Sequence, residues 1–202
     1  MMAGAELASE RIRLRALEPE DASALFLYAS DPLVARYAGW RPHRTPFDSI
    51  LYIQRCMSDQ WGPITFAVEH CEERSLIGVV DIRIISRLWA SGEIGYTLAR
   101  SYWGQGYNVE ACDLLINYGF ETLGLRRIQA VCDTRNRRSY RTMEKLGMVR
   151  ERIIYGQHTV RGRQPDRFVY SLLRREWRLR RMASGDGALA THRRDRASGY
   201  LR

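Results

Sequence analysis

The spacing of apolar residues changes along this chain, and each change marks an element. In "RIRLRAL", Ile12 and Leu14 alternate with arginines, which predicts a strand with one buried face. Pro19 suits the first turn of a helix on which Ala22, Leu25, Phe26 and Ala29 share a side, and Asp31-Pro32 is expected to end it. After the irregular run "YAGWRPHRTPFD", Phe47 to Ser58 repeats like a second helix; such a run near a domain's start often shapes a ligand site. From Ile64 the period becomes that of strands. "ITFAVEH", "SLIGVVDIRII" and "GEIGYTLA" are rich in Val, Ile, Thr and Tyr, and polar turns separate them, as in an antiparallel meander. Val109, Cys112, Ile116, Phe120 and Leu123 then recur at three and four, an amphipathic helix that Gly124 stops. "RRIQAVCD" reads as a strand, Ser139 to Leu146 as a short helix closed by Gly147, and "RERIIYGQ" and "DRFVYSLL" as two last strands.

The order is strand, two helices, three strands, helix, strand, helix, two strands. A strand–helix–strand crossover makes the fourth and fifth strands a parallel pair inside an otherwise antiparallel sheet. The expected fold is α+β (α/β): a mixed sheet of about seven strands with helices on both faces.

Composition changes this picture little. With 202 residues, 45% hydrophobic and 27% charged, one ordinary globular domain is expected over residues 11–177, between an extension at 1–10 and a tail at 178–202. Charge matters more. The net charge is +9, and the tail has seven arginines against Asp186 and Asp195, so five of the nine positive charges fall there. That tail lacks apolar periodicity and reads as a disordered solvated extension, with RNA or ribosome contact as the alternative. The start of the chain has no apolar signal core and no run is long enough to span a bilayer, so no membrane association and a cytoplasmic location are expected. Cys56, Cys71, Cys112 and Cys132 form no CxxC pair and read as reduced core residues, and His43, His70, His158 and His192 are scattered, so no metal is expected.

Candidate chemistry begins at "WGQGYN", Trp103 to Asn108, between the fourth strand and the long helix. Glycines at 104 and 106 let backbone N–H groups converge without Cβ atoms in the way, and the helix start adds partial positive charge; the turn is either an anion seat or merely a sharp bend. "GEIGYTLARSY" before it and Glu110-Ala111 after it make this stretch resemble the coenzyme signature of the GNAT family of N-acetyltransferases, in the branch that modifies ribosomal-protein N-termini. "DTRNRRSYRTMEKLGM", "SDPLVARYAGW" and "DRFVYSLLRREW" resemble that branch as well.

The resemblance implies a GNAT fold in which a bulge splays the fourth and fifth strands, and an acetyl-CoA cosubstrate whose pantetheine arm lies in the gap. Tyr96, Leu98 and Ala99 would bond that arm. The amides of Gly104, Gln105, Gly106, Tyr107, Asn108 and Val109 would hold the pyrophosphate, and Asn136 would hold the arm from the other side. Arg138, Arg141 or Lys145 would reach the adenosine phosphates. Asn108 stands where the family has Gly or Ala; as a favoured N-cap it keeps the helix start, with weaker coenzyme binding as the cost. Oligomers in the family imply a homodimer.

Direct acetyl transfer to a primary amine requires a base, a donor for the developing oxyanion and an acid for the leaving thiolate. A backbone N–H near Gly95 or Tyr96 would be the donor. Glu93 is the preferred base, with Asp81 and Glu69 as alternates. The family's usual tyrosine acid is Met143 here; the resemblance implies Ser139 instead, at the position where this branch uses a hydroxyl near the sulfur, with Tyr140 second. Neither Cys112 nor Cys132 has the setting of a reactive thiolate, which disfavours a cysteine acyl-enzyme. Arginine-rich loops, "WRPHRTPFD" and "GQHTVRGRQPD", lean the acceptor toward a peptide N-terminus with acidic groups or an anionic small molecule. Trp40 and Trp61 read as core rather than pocket walls. The competing class is a catalytically silent module of the same fold, binding an acyl-CoA or RNA.

Overall fold

Alternation in the sequence becomes sheet faces and edges in the computed structural model, which describes residues 7–58, 62–159 and 162–183. Eight strands form the main sheet: β1 (Leu7–Ala8), β2 (Ile12–Ala16), β3 (Ile64–His70), β4 (Ser75–Ser86), β5 (Ser91–Leu98), β6 (Arg127–Asp133), β7 (Val149–Ile154) and β10 (Arg167–Leu173). Their spatial order is β1-β2-β3-β4-β5-β6-β10-β7. Every pairing is antiparallel except that of β5 with β6, the crossover pair. A separate two-residue hairpin joins β8 (His158–Thr159) to β9 (Gly162–Arg163).

Helices cover both faces. On one lie α1 (Ala22–Ala29), α2 (Pro32–Ala38) and α3 (Pro46–Ser58), where Leu25 and Ile53 pack with Ala67 and Val79 of the sheet. Leu25 is fully buried, which contributes about 1.5–3 kcal/mol. On the other lie α4 (Tyr107–Asn117), α5 (Arg137–Lys145) and α6 (Arg174–Ala183), joined in the core by Leu115, Ile116, Met143 and Trp177. Among the described residues no helix is long and apolar enough to cross a membrane.

Several boundaries differ from the expectation. Leu7 pairs with Leu14, so the residues before Arg11 supply an eighth strand to the sheet. Asp31-Pro32 ends α1 and also starts α2: Asp31 Oδ1 accepts the Leu33 N–H at 2.8 Å, Pro32 occupies the first turn, and Gly39 closes the helix at φ +78°. The segment after Trp177 is not disordered from its first residue, because Arg178 to Ala183 complete α6; residues 184–202 of the expected tail lie outside the described residues. Cys112 and Cys132 are buried, whereas Cys71 is exposed and Cys56 half-buried.

Candidate active site

The parallel pairing of β5 with β6 runs only from Ser91↔Arg127 to Glu93↔Gln129. Beyond that rung the strands part, and a cleft of about 1120 Å³ opens between Ile94–Leu98 on one side and Val131–Cys132 on the other. The bulge expected at Gly95–Tyr96 is absent. Register across β4 and β5 is constant from Gly78↔Leu98 to Ile84↔Gly92, and the irregularity sits at the hairpin end, between Ile84 and Ser86. The strands therefore separate because their shared rungs stop.

Backbone parity decides which groups face the gap. Ala99 N donates to Ile77 O at 2.8 Å, so Ala99 spends its amide on β4 and does not hold an arm as expected. In an antiparallel ladder alternate residues turn both backbone groups to the same partner, so Thr97 and Gly95 also address β4 while Ile94, Tyr96 and Leu98 address the cleft. Of these, Leu98 O is taken by Trp103 Nε1 at 2.8 Å. The Tyr96 and Leu98 amides and the Tyr96 carbonyl remain for an added strand, and the oxyanion donor narrows to Tyr96.

The glycine turn closes the cleft at the start of α4. Gly104 at φ +80° and Gly106 at φ +90° adopt the left-handed region that glycine enters without cost. Among the described residues, the N–H groups of Gly104, Gln105, Gly106, Tyr107 and Asn108 donate to no protein acceptor, whereas Val109 N is bonded to Gly106 O at 3.0 Å. Val109 is thus removed from the expected cradle and five amides stay in it. Asn108 is not the helix cap: Gly106 holds that position and Asn108 follows in the first turn, its Oδ1 buried without a partner. The turn is anchored from behind by Arg11, which binds Glu110 and donates to Gln105 O at 3.2 Å, and by the 2.8 Å bond between His70 and Tyr107. Arg138, Arg141 and Lys145 of α5 line the same end, and Arg138 lies 4.7 Å above the Trp103 ring.

At the apex of the cleft stand two carboxylates. Glu93 accepts from Gln129 Nε2 at 2.6 Å and from Arg83 at 2.9 Å, which fixes it. Asp81 pairs with Gly95 across the strands and has no such clamp. Burial, and to a lesser degree Glu93, raises its pKa to about 6 against the pull of Arg83. Across the cleft, Ser139 Oγ lies 2.9 Å from Tyr96 Oη. Burial pushes the Tyr96 phenol well above its ordinary range, which keeps its proton in place. Asn136 caps α5 by accepting the Ser139 N–H at 3.2 Å, which leaves its amide N–H₂ uncommitted.

The other candidates fall outside. Glu69 is tied to Arg13 and Arg15 away from the cleft, and Tyr140 packs edge-on against Phe168. Gln105 turns its side chain back to Ser101 O. Cys132 does line the cleft, but burial pushes its thiol up to about 11, too high for a nucleophilic thiolate. Trp40 is half-buried: it packs against the core as expected and also forms a cavity wall, and Trp61 lies outside the described residues. Among the described residues no three His, Cys, Asp or Glu side chains gather to hold a metal ion.

An acyl-CoA fits these donors. The cradle supplies unpartnered amides for a diphosphate, the diverging strand supplies backbone for the arm, and two buried polar atoms in the walls, Asn108 Oδ1 and Thr97 Oγ1, lack partners.

Known proteins share this sequence pattern and fold. Residues 11–149 match the model of the acetyltransferase (GNAT) domain. The chain is 34% identical over 173 residues to an uncharacterized N-acetyltransferase, p20, of Bacillus licheniformis, across 85% of this chain and 97% of that protein. Among solved structures, a GNAT-family acetyltransferase of Bacillus anthracis aligns with a TM-score of 0.73 at 29% identity, over 84% of this chain and 98% of that one. The microcin C7 self-immunity acetyltransferase MccE, solved with acetyl-CoA and AMP, shares the fold with a TM-score of 0.72 at 22% identity, over 82% of this chain and 93% of its own.

Proposed function

The chain belongs to the acetyltransferase (GNAT) family, and from that premise we propose that it moves the acetyl group of acetyl-CoA directly onto a primary amine, with Asp81 as base and Ser139 as acid. The observation that carries this reading is the row of five unpartnered amides from Gly104 to Asn108 at the mouth of a strand-divided cleft. A cradle of that kind suits a diphosphate, and the helix dipole of α4 adds to it. Arg138, Arg141 and Lys145 supply countercharge for the remaining phosphate.

Asp81 is preferred to Glu93 because a base must be free to accept a proton. Its carboxylate is unclamped and desolvated, charged at neutral pH yet more basic than an exposed aspartate. Glu93 serves instead to fix Arg83 and Gln129 where the strands part. As the amine attacks, the Tyr96 N–H meets the charge growing on the thioester oxygen. Ser139 passes its proton to the departing sulfur and regains one from solvent in the open cleft, while the Tyr96 phenol, which keeps its own proton, holds the hydroxyl in place by the 2.9 Å bond. Peptide N-termini and small-molecule amines are the acceptor classes, and the resemblance to the ribosomal-protein branch favours the former.

Thiol release from acetyl-CoA over a panel of peptides, polyamines, amino acids and aminoglycosides tests the reading. Acceptor-dependent release that Asp81→Asn suppresses supports it. No release, together with no acetyl-CoA binding at millimolar concentration, overturns it and leaves the silent module.

A further inference from the structure

Beside the coenzyme cleft lies a second cavity of about 420 Å³, bounded by Trp40, Arg41, His43, Arg44, Tyr52 and Arg55. Trp40 and Tyr52 line both cavities, so together they are the partition between them. Tyr52 is also close enough to Asp81 for the two to interact electrostatically, so the second cavity adjoins the end of the cleft where the amine must sit.

Its chemistry is one-sided. Arg41, Arg44 and Arg55 make no ion pair among the described residues. The one carboxylate in the wall, Asp48, is spent on the start of α3, where it accepts the N–H groups of Arg44 at 2.8 Å and Thr45 at 2.9 Å. The Trp40 indole N–H is buried without an acceptor. His43 hydrogen-bonds to Ser49 at 2.8 Å and stands against Trp40 and Tyr52, which braces the wall. Three guanidiniums without an ion pair among the described residues, one of them 6.0 Å over the Tyr52 ring, outnumber the single Asp48 carboxylate and stand with an orphaned indole donor; this suits a carboxylate or phosphate and disfavours a cationic acceptor such as a polyamine.

We propose that this cavity is an anion subsite of the acceptor, so that the enzyme selects primary amines that carry a carboxylate or phosphate a short span from the nitrogen. The proposal rests on the acetyltransferase reading for its link to turnover, but the subsite is measurable without it. The guanidiniums hold the anionic group, the partition orients the spacer, and the amine reaches past Tyr52 to Asp81.

Two measurements test it. In the first, kcat/KM is compared within matched pairs: the amidated tripeptides Ala-Asp-Asp and Ala-Asn-Asn, and O-phosphoethanolamine against ethanolamine. The charged member should be favoured about tenfold or more in at least one pair, and the ratio should fall toward one in Arg44→Gln/Arg55→Gln. Which pair shows the preference separates a carboxylate source from a phosphate one. Equal rates within both pairs, or a preference that survives the double substitution, overturn the proposal. In the second, the indole resonance of Trp40, assigned through Trp40→Phe, is followed by nuclear magnetic resonance while inorganic phosphate and the acidic tripeptide are titrated. A saturable shift lost in the double variant supports the subsite; an unmoved resonance overturns it. If no acceptor turns over, this titration still decides the subsite, while the failure falls on the acetyltransferase reading.

Discussion

Asp81 and Gly95 stand opposite one another on β4 and β5, and a Cβ on Gly95 would lie 2.5 Å from Asp81 Oδ2. The missing side chain of one residue is the space occupied by the carboxylate of the other. Gly95→Ala should therefore push the carboxylate aside and lower kcat tenfold or more, since a misplacement of about 1 Å can cost about a hundredfold. Acetyl-CoA affinity, measured by calorimetry, should change far less, because the Gly95 backbone groups point to β4.

A base with a pKa of about 6 leaves a signature in the pH profile. Below pH 6 both Asp81 and the amine must lose protons, so log kcat/KM should climb with a slope of two; between pH 6 and the amine's own pKa the slope should be one. Asp81→Asn should lower the rate about a hundredfold and leave a slope of one throughout. An unchanged two-step profile in that variant would assign the base elsewhere, with Glu93→Gln the next test.

The hydroxyl pair across the cleft makes a separable prediction. Ser139→Ala removes the proposed acid and should reduce kcat about tenfold to a hundredfold with little effect on KM for acetyl-CoA. Tyr96→Phe keeps Ser139 but deprives it of its 2.9 Å partner, and should have a smaller effect of the same kind. Equal turnover in wild type and Ser139→Ala would exclude the serine as the acid.

How much of this was legible in sequence depends on range. The strand meander and the amphipathic α4 were readable because their signals are local and periodic. The glycine turn was readable because a sharp strand-to-helix junction needs glycine at fixed short spacing, whereas Asn136 and Ser139 were singled out by the family resemblance alone, and the structure places both in the wall of the same cleft. Helix α2 was not, since Asp31-Pro32 is both a stop and a start and only the packing of Val34 and Ala35 decides which. Nor was it legible that Glu93 is held by Arg83 and Gln129 while Asp81 is not. Arg83 pairs with Glu93 across β4 and β5, but Gln129 reaches it from the parallel neighbour, and Asp81 owes its basicity to burial that no window of sequence contains. The two-residue β1, β8 and β9 are too short to carry a period.

The coenzyme cradle can be weakened at one atom. Gly106 has φ +90°, and the nearest atom to an added Cβ is Arg11 Nη2 at 3.5 Å, so Gly106→Ala is opposed by backbone strain rather than by crowding. Relief of that strain, about 1–2 kcal/mol, would rotate the amides of Gly106 and Tyr107 out of convergence. Calorimetry should show the acetyl-CoA Kd rising about tenfold, with desphospho fragments such as pantetheine bound as before.

Desolvation of Asp81 also predicts a stability effect independent of catalysis. Its folded pKa of about 6 lies above the ordinary 3.8, so folding favours the protonated acid. That contribution is complete below about pH 4 and is lost as pH rises through 6, where the half-buried carboxylate becomes a charge with no hydrogen-bond partner among the described residues. Asp81→Asn removes the charge while keeping the shape. Its Tm should exceed that of the wild type at pH 7.5, by a stabilisation on the order of 2 kcal/mol, and the difference should shrink toward zero at pH 4. A variant less stable than wild type at pH 7.5 would mean that Asp81 is held by a compensating interaction, and would remove the physical basis for treating it as a desolvated base.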